Sequence, residues 1–309
     1  MKDIIHMVSV SGGKDSTATL LLALKQFPPE SVFAAFADTG NEHERTLEYL
    51  DYLERRLGVR IARLKADFSE RFDSRRDWVL NKWPLAGVPV EKCEQAAKLL
   101  VPTGIPFLDL CMLKGRFPSR MAQFCTQELK TKPLTEYAMW ITDMFDADVW
   151  SWQGVRRDES ARRANALGFE NLTGGIYAWR PIAGWAAQET VDFVLSCGVE
   201  LNPLYKEGMG RVGCMPCINA NKAELAEIAR RFPHHVERIA EWERIVADVS
   251  KCGNSSFFPA PTSDNRGALR GNNIHSVVRW AKTTRGGLVP NPEYDEPAPA
   301  CASSYGLCE

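Results

Sequence analysis

Ser9-Val10-Ser11-Gly12-Gly13-Lys14-Asp15-Ser16 sits between an apolar run at 4–10 and a stretch of helical character at 17–26. A strand, a glycine turn and a helix in that order aim backbone N–H groups and a positive helix end at an anion. Gly12 and Gly13 can adopt positive φ and let a phosphate approach the backbone. Ser11 and Ser16 add hydroxyls, and Lys14 adds a charge. Asp15 is the unexpected member. A carboxylate beside phosphates is repulsive unless it orients a donor or holds Mg²⁺. The spacing is neither that of a Walker loop nor that of a dinucleotide fingerprint.

The alternation continues outward. Residues 31–37 read as a second strand, which ends in Asp38-Thr39-Gly40. A helix through residue 56 follows, capped by Asn41, stopped by Gly58 and apolar at Leu47, Leu50, Leu53 and Leu57. Residues 59–64 read as a third strand and 147–154 as a fourth, with helices at 135–145 and 157–167. The expected fold class is α/β, a doubly wound parallel sheet of about five strands. Ligands of such sheets sit beyond the carboxyl ends of the strands, where Ser11–Ser16 and Asp38–Gly40 should face one another. Residues 66–135 hold short helical patches at 72–82, 90–100 and 107–114 cut by prolines, and read as an insertion that shapes the substrate mouth. Further helices are expected at 191–196, 222–249 with a break at Pro233, and 273–282. The expected organisation is an α/β domain at 1–200 and a cysteine-containing C-terminal segment at 201–309.

With 309 residues, 45% hydrophobic and 25% charged, the chain can bury a core without staples. A net charge of −1 excludes a global field for nucleic acid, so such a partner would need a local basic patch. No apolar stretch reaches membrane-spanning length, and no charged-then-apolar leader precedes the first strand. Nine cysteines without such a leader lead us to expect a reducing, cytoplasmic setting and metal or thiol chemistry. Cys214-x-x-Cys217 lies in a glycine-flanked turn, and alone it leaves a zinc half-site, a cluster half-site and a redox pair open. Cys93, Cys111 and Cys197 read as small core residues. His6 reads as structural. His234, His235 and Arg163 read as solvated helix positions. The nine tryptophans read as core or mouth-lining by default, and Trp152, at a strand end, could stack on a base though its spacing does not require it.

Several patterns occur in fixed order: Ser11 to Ser16; Asp38-Thr39-Gly40-Asn41-Glu42; Cys125-Thr126-Gln127-Glu128-Leu129-Lys130; Gly154-Val155-Arg156-Arg157 through Arg162; and Asn202-Pro203-Leu204-Tyr205 through Cys217. Together they resemble the phosphoadenosine-phosphosulfate reductase family in its broad sense. The first is similar to the S-G-G-x-D-S pyrophosphate loop (PP-loop) of N-type ATP pyrophosphatases. The resemblance implies a HUP-type core and a nucleotide substrate. Because every residue of S-G-G-K-D-S is kept, it favours cleavage of ATP between its α and β phosphates over binding of a ready-made sulfonucleotide. The implied product is an adenylylated substrate on the way to sulfur transfer or thiolation. A sulfonucleotide reductase releasing sulfite and a catalytically idle nucleotide sensor are the alternatives.

In that family reading ATP and Mg²⁺ are held by Ser9, Ser11, Gly12, Gly13, Lys14, Asp15, Ser16, Asp38, Thr39, Gly40, Gly154, Arg157 and Arg162. Lys14, Asp15 and Arg156 are catalytic. A [4Fe–4S] cluster, with zinc as the alternative, is implied on Cys125, Cys214, Cys217 and one of Cys252, Cys301 and Cys308. Cys301 is the preferred fourth ligand, which leaves Cys308 as a nucleophile or persulfide carrier. The implied partners are a nucleic-acid or small-molecule acceptor and a sulfur donor or thioredoxin-like reductant. No membrane is expected, and an oligomer stays open.

Overall fold

The computed structural model describes residues 2–160, 163–259 and 272–284. In chain order the elements are β1 (Ile4–Ser9), α1 (Lys14–Gln26), β2 (Val32–Asp38), α2 (Glu44–Leu57), β3 (Ile61–Lys65), α3 (Ser69–Lys82), α4 (Val90–Leu99) and α5 (Pro106–Lys114). A single turn, α6 (Phe124–Thr126), and a π-helical turn at Gln127–Thr131 follow. Then come α7 (Lys132–Phe145), β4 (Asp148–Trp152), β5 (Phe169–Thr173), β6 (Ile176–Trp179), α8 (Ala187–Ser196), α9 (Pro203–Lys206), α10 (Lys222–Arg231), α11 (Pro233–Asp248) and α12 (Ile274–Ala281). None of these helices is long and apolar enough to cross a membrane.

The described chain forms two compact units. The first holds residues 2–65 and most of 126–214 around one sheet of order β3-β2-β1-β4-β6-β5. Five strands run parallel, as the strand–helix alternation predicts, and β5 pairs antiparallel with β6 at the edge. β1 is flanked by β2 on one side and β4 on the other. The loops after β1 and β4 therefore open at the point where strand order reverses, the place where such sheets bind ligands. α1 packs one face of the sheet with Ala18, Leu20, Leu21 and Ala23, and α7 packs the other with Leu134, Ala138 and Ile141.

Several local readings change. α2 is capped by His43, whose Nδ1 accepts the Arg45 N–H at 3.1 Å, so Asn41 is not the cap. Gly58 ends that helix at φ 64°, as a left-handed stop should. α1 starts at Lys14, so Lys14, Asp15 and Ser16 form its first turn. Among the described residues of the helix expected at 157–167, Arg157–Glu159 form a 3₁₀ turn and none is α-helical. Arg157 gives its N–H to the Ala183 carbonyl and its guanidinium to the Ala166 carbonyl. The hairpin β5–β6 follows, turning at Gly174-Gly175 with φ of 59° and 79°. Two central residues with positive φ match the right-handed twist of the strands, and glycine supplies both at no steric cost. Trp152 is buried, and its indole N–H donates to His6 Nδ1 at 3.1 Å, so it offers no face to a base. His6 is structural as expected: it stacks on Phe27 at 3.6 Å.

The second unit holds residues 66–125, 215–259 and 272–284. Its three predicted helical patches are α3, α4 and α5. Phe107, Phe117, Trp242 and Phe257 stack in its interior. His235 is fully buried on α11, contrary to the solvated position expected for it. Cys93 and Cys111 are core residues, and burial, with a smaller contribution from Cys125, pushes the Cys111 thiol well up.

Glu243 of α11 is a buried clasp. One carboxylate oxygen accepts the Phe257 N–H at 2.7 Å and the other the Ile274 N–H at 2.8 Å. Burial raises its pKa to about 7, against the lowering effect of those two bonds. A carboxyl whose folded pKa lies above its unfolded value stabilises the fold most below the unfolded value, and that contribution is lost as pH rises through the folded one. Thermal stability of the wild type should therefore fall between about pH 5 and about pH 8, and Glu243→Gln should flatten that slope. Parallel melting curves for the two proteins across this window would contradict the assignment.

Candidate nucleotide site

The loop after β1 closes on itself before it meets any ligand. The Ser11 N–H donates to Ser16 Oγ at 3.0 Å, and the two hydroxyls lie 3.0 Å apart. Ser16 Oγ in turn donates to the Gly13 carbonyl at 3.0 Å. Gly12 has φ of 81°, and a Cβ there would come within 2.8 Å of Thr46 Cγ2. Gly13 does not share this conformation: at φ −87° it is the extended N-cap of α1. Glycine is thus demanded twice over at Gly12, by backbone angle and by space.

Asp15 is fully buried in the first turn of α1. Arg156 Nε donates to its Oδ1 at 2.8 Å, and Lys14 Nζ lies 3.7 Å from Oδ2. Arg156 is itself buried and also pairs with Asp158. Burial works against the Arg156 charge, yet Asp15, Asp158 and Glu159 together raise its pKa above the ordinary value. Gly154 explains how the β4 loop comes so close: a Cβ there would stand 2.8 Å from Asp15 C and Ser16 N. The loop after β4 lies directly against the backbone of the loop after β1. Arg163 is buried and paired with Glu159 one helical turn's spacing away, so the exposed position expected for it is corrected.

At the end of β2, Asp38 Oδ1 accepts the Gly40 N–H at 2.9 Å and Oδ2 lies 3.2 Å from Lys65 Nζ. Gly40 has φ of 75°. Glu42 is held by Thr39, whose N–H and hydroxyl donate to its two carboxylate oxygens at 3.1 and 2.7 Å. Burial pushes the Glu42 carboxyl up, opposed by Lys130 and the Thr39 hydroxyl. Cys214 Sγ stands 3.6 Å from Glu42 Oε1 and 3.5 Å from Thr39 Oγ1. Val10, Ser11, Phe36, Ala37, Glu42, Lys130 and Gly213 line a cavity of about 10 Å³, room for roughly one water. The ends of β1 and β2 thus share one lining, as their order in the sheet requires.

The structure brings Ser9, Ser11, Gly12, Gly13, Lys14, Asp15, Ser16, Gly154 and Arg156 into one neighbourhood, and Asp38, Thr39, Gly40 and Cys214 into the adjoining one. Arg157 is exposed and directed at Ala166. Cys125 and Cys217 belong to the second unit. Arg162, Cys301 and Cys308 lie outside the described residues. Four residues given no role of their own in the sequence reading stand at the site. Glu42 and Lys130 line the cavity, Asn202 Nδ2 donates to the Gly12 carbonyl at 3.2 Å, and the Tyr205 hydroxyl accepts the Lys14 N–H at 3.0 Å. Asn-Pro ahead of a short apolar turn was a legible N-cap signal for Asn202, whose Oδ1 accepts the Leu204 N–H.

The fold is α/β, a mostly parallel sheet with a glycine-bearing turn between its first strand and its first helix. Residues 5–220 match the phosphoadenosine phosphosulfate reductase domain, and the chain belongs to that family. An uncharacterized 37.8 kDa protein from the gpa 5′ region of Escherichia phage 186 is 45% identical over 99% of this chain and 97% of that one. An adenosine 5′-phosphosulfate reductase of Allochromatium vinosum is 26% identical over 71% of this chain and 69% of that one. The crystal structure of a phosphoadenylyl-sulfate reductase from Candida auris matches with a TM-score of 0.43 at 13% identity, over 70% of this chain and 83% of that one.

Arg156→Ala would leave the Asp15 carboxylate buried without its guanidinium. Removing one partner of a buried ion pair costs about 3–5 kcal/mol. Denaturant melts should show a loss of that order, and Asp15→Asn combined with Arg156→Ala should lose less than the two single losses added. Additive losses would mean that the two side chains act independently.

Proposed function

We propose that this chain binds ATP at the loop after β1 and cleaves it between the α and β phosphates, passing the adenylyl group to an acceptor as a step toward sulfur transfer or thiolation. The observation that carries this reading is the complete Ser11–Ser16 loop at the start of α1, with the Lys14 ammonium beside it. An acceptor oxygen would attack the α phosphorus while the bond to the bridging oxygen breaks and pyrophosphate leaves. Charge grows on the leaving oxygens, and donors fixed in advance stabilise it most. Lys14 would supply the charge and the loop its N–H groups. Asp15 would hold Arg156 at the site and not contact the phosphates itself. Mg²⁺, when bound, would neutralise phosphate charge. Asp38 and Gly40, at the end of β2, would take the nucleoside.

A second reading, a sulfonucleotide reductase, is favoured by the likeness to the adenosine 5′-phosphosulfate reductase of Allochromatium vinosum. There a cysteine thiolate, Cys308 being the candidate, would attack the sulfonate sulfur, release AMP and form a Cys–S–sulfonate that a dithiol reductant resolves to sulfite. A [4Fe–4S] cluster on Cys125, Cys214, Cys217 and Cys301 would serve either reading, with zinc the alternative. Its thiolate chemistry fits Cys217, whose Sγ accepts the Asn219 N–H at 3.5 Å. It fits Cys214 less well, because the Glu42 carboxyl is its neighbour.

Incubation with ATP and candidate acceptors should yield pyrophosphate and AMP-linked product, and Lys14→Ala should lower the rate at saturating ATP by at least about a hundredfold, the usual scale for one transition-state donor. ADP and orthophosphate as products, or an unchanged rate in the variant, would refute ATP cleavage at this loop. Sulfite release from adenylyl sulfate with a dithiol, and none of pyrophosphate from ATP, would select the second reading. Anaerobically purified protein should carry about four irons per chain that Cys217→Ser loses. One zinc and no iron would remove the cluster.

A further inference from the structure

The first N–H groups of a helix have no partner within the helix, and at α1 these are the donors a pyrophosphate would use. One of them is already engaged. The Lys14 N–H donates to the Tyr205 hydroxyl at 3.0 Å, across 191 residues of chain. The Lys14 ammonium also lies 5.7 Å from the centre of the same ring. We infer that Tyr205 is a latch on the phosphate loop, its phenol oxygen holding the Lys14 N–H until an oxygen of a di- or triphosphate displaces it. This rests on reading the loop as the pyrophosphate site.

The fixtures around Tyr205 confine the motion to its own side chain. It sits on α9, a single turn held at both ends. At the start, Asn202 accepts the Leu204 N–H and donates to the Gly12 carbonyl. At the other end, Glu207 pairs with Arg45 of α2. The Gly12 carbonyl is tied to Asn202 and Ser16 bonds across the loop to Ser11 and Gly13, so the loop is held in place beside the ring. A backbone N–H makes one strong bond along its axis. The phenol oxygen and a phosphate oxygen therefore compete for the same position. Tyr205 is half-buried, and rotation of its side chain toward solvent would uncover the donor without disturbing α9. Nucleotide affinity is then set in part by a residue that does not belong to the loop. The latch also gives the part-buried Lys14 N–H an acceptor when no nucleotide is bound.

Tyr205→Phe removes the oxygen and keeps the ring over Lys14. Two readouts on the full chain test the latch: calorimetric titration with inorganic pyrophosphate and with ATP, and hydrogen exchange at the Lys14 amide without ligand. The variant should bind both probes about fivefold more tightly, the equilibrium weight of one net hydrogen bond, and its Lys14 amide should exchange faster. A purely structural role would move thermal stability and leave the affinity gain absent. If the wild type binds and the variant binds equally or more weakly, the latch alone fails, and weaker binding would make Tyr205 a phosphate ligand. If neither protein binds either probe, the pyrophosphate reading of the loop fails and the latch with it. If only the variant binds, both stand.

Discussion

The Asp15–Arg156 pair is the interaction on which the site depends. It joins the first turn of α1 to the loop after β4, two segments 141 residues apart, inside the protein. A buried ion pair is weak evidence for stability, since desolvation cancels much of the attraction. Its geometric value is larger. A carboxylate in this position accepts only from a donor arriving at the correct angle, so the β4 loop has one register against the β1 loop. Gly154 is the steric complement of that choice, because no side chain fits between the two backbones there. The charge that looked out of place in a phosphate loop thus has an inward task.

A second constraint acts from the other side of the loop. From α9, Asn202 donates to the Gly12 carbonyl and the Tyr205 hydroxyl accepts the Lys14 N–H, which ties one acceptor and one donor of the turn. Ser11, Ser16 and Gly13 satisfy much of the rest among themselves. The result is a loop shaped before any ligand arrives, which is the condition for electrostatic stabilisation without reorganisation during the reaction.

The parts of the fold written in local patterns were legible. Apolar runs gave β1, β2, β3 and β4, four of the five parallel strands, and Gly58 marked the end of α2. The hairpin β5–β6 was missed: no element was assigned between 167 and 191, although Gly174-Gly175 between alternating residues carried the turn signal. Arg163 and His235 are buried where solvated positions were expected, and neither periodicity nor residue type reports that. Trp152 follows the default expectation for a tryptophan and is core. At the candidate site the loop residues stood out from their spacing. Tyr205, Lys130 and Glu42 did not, because what brings them to the loop is tertiary geometry. The hydroxyl of Tyr205 acquires its partner only when α9 docks against α1 and α2.

The central claim is that the loop after β1 is the anion site of this family member. Backbone amide spectra recorded while inorganic pyrophosphate is added test it most directly. The account predicts that the amides of Gly12, Gly13, Lys14 and Asp15 shift first and saturate together, with smaller shifts at Gly154 and Tyr205. Binding that leaves those four amides in place while others move would contradict it.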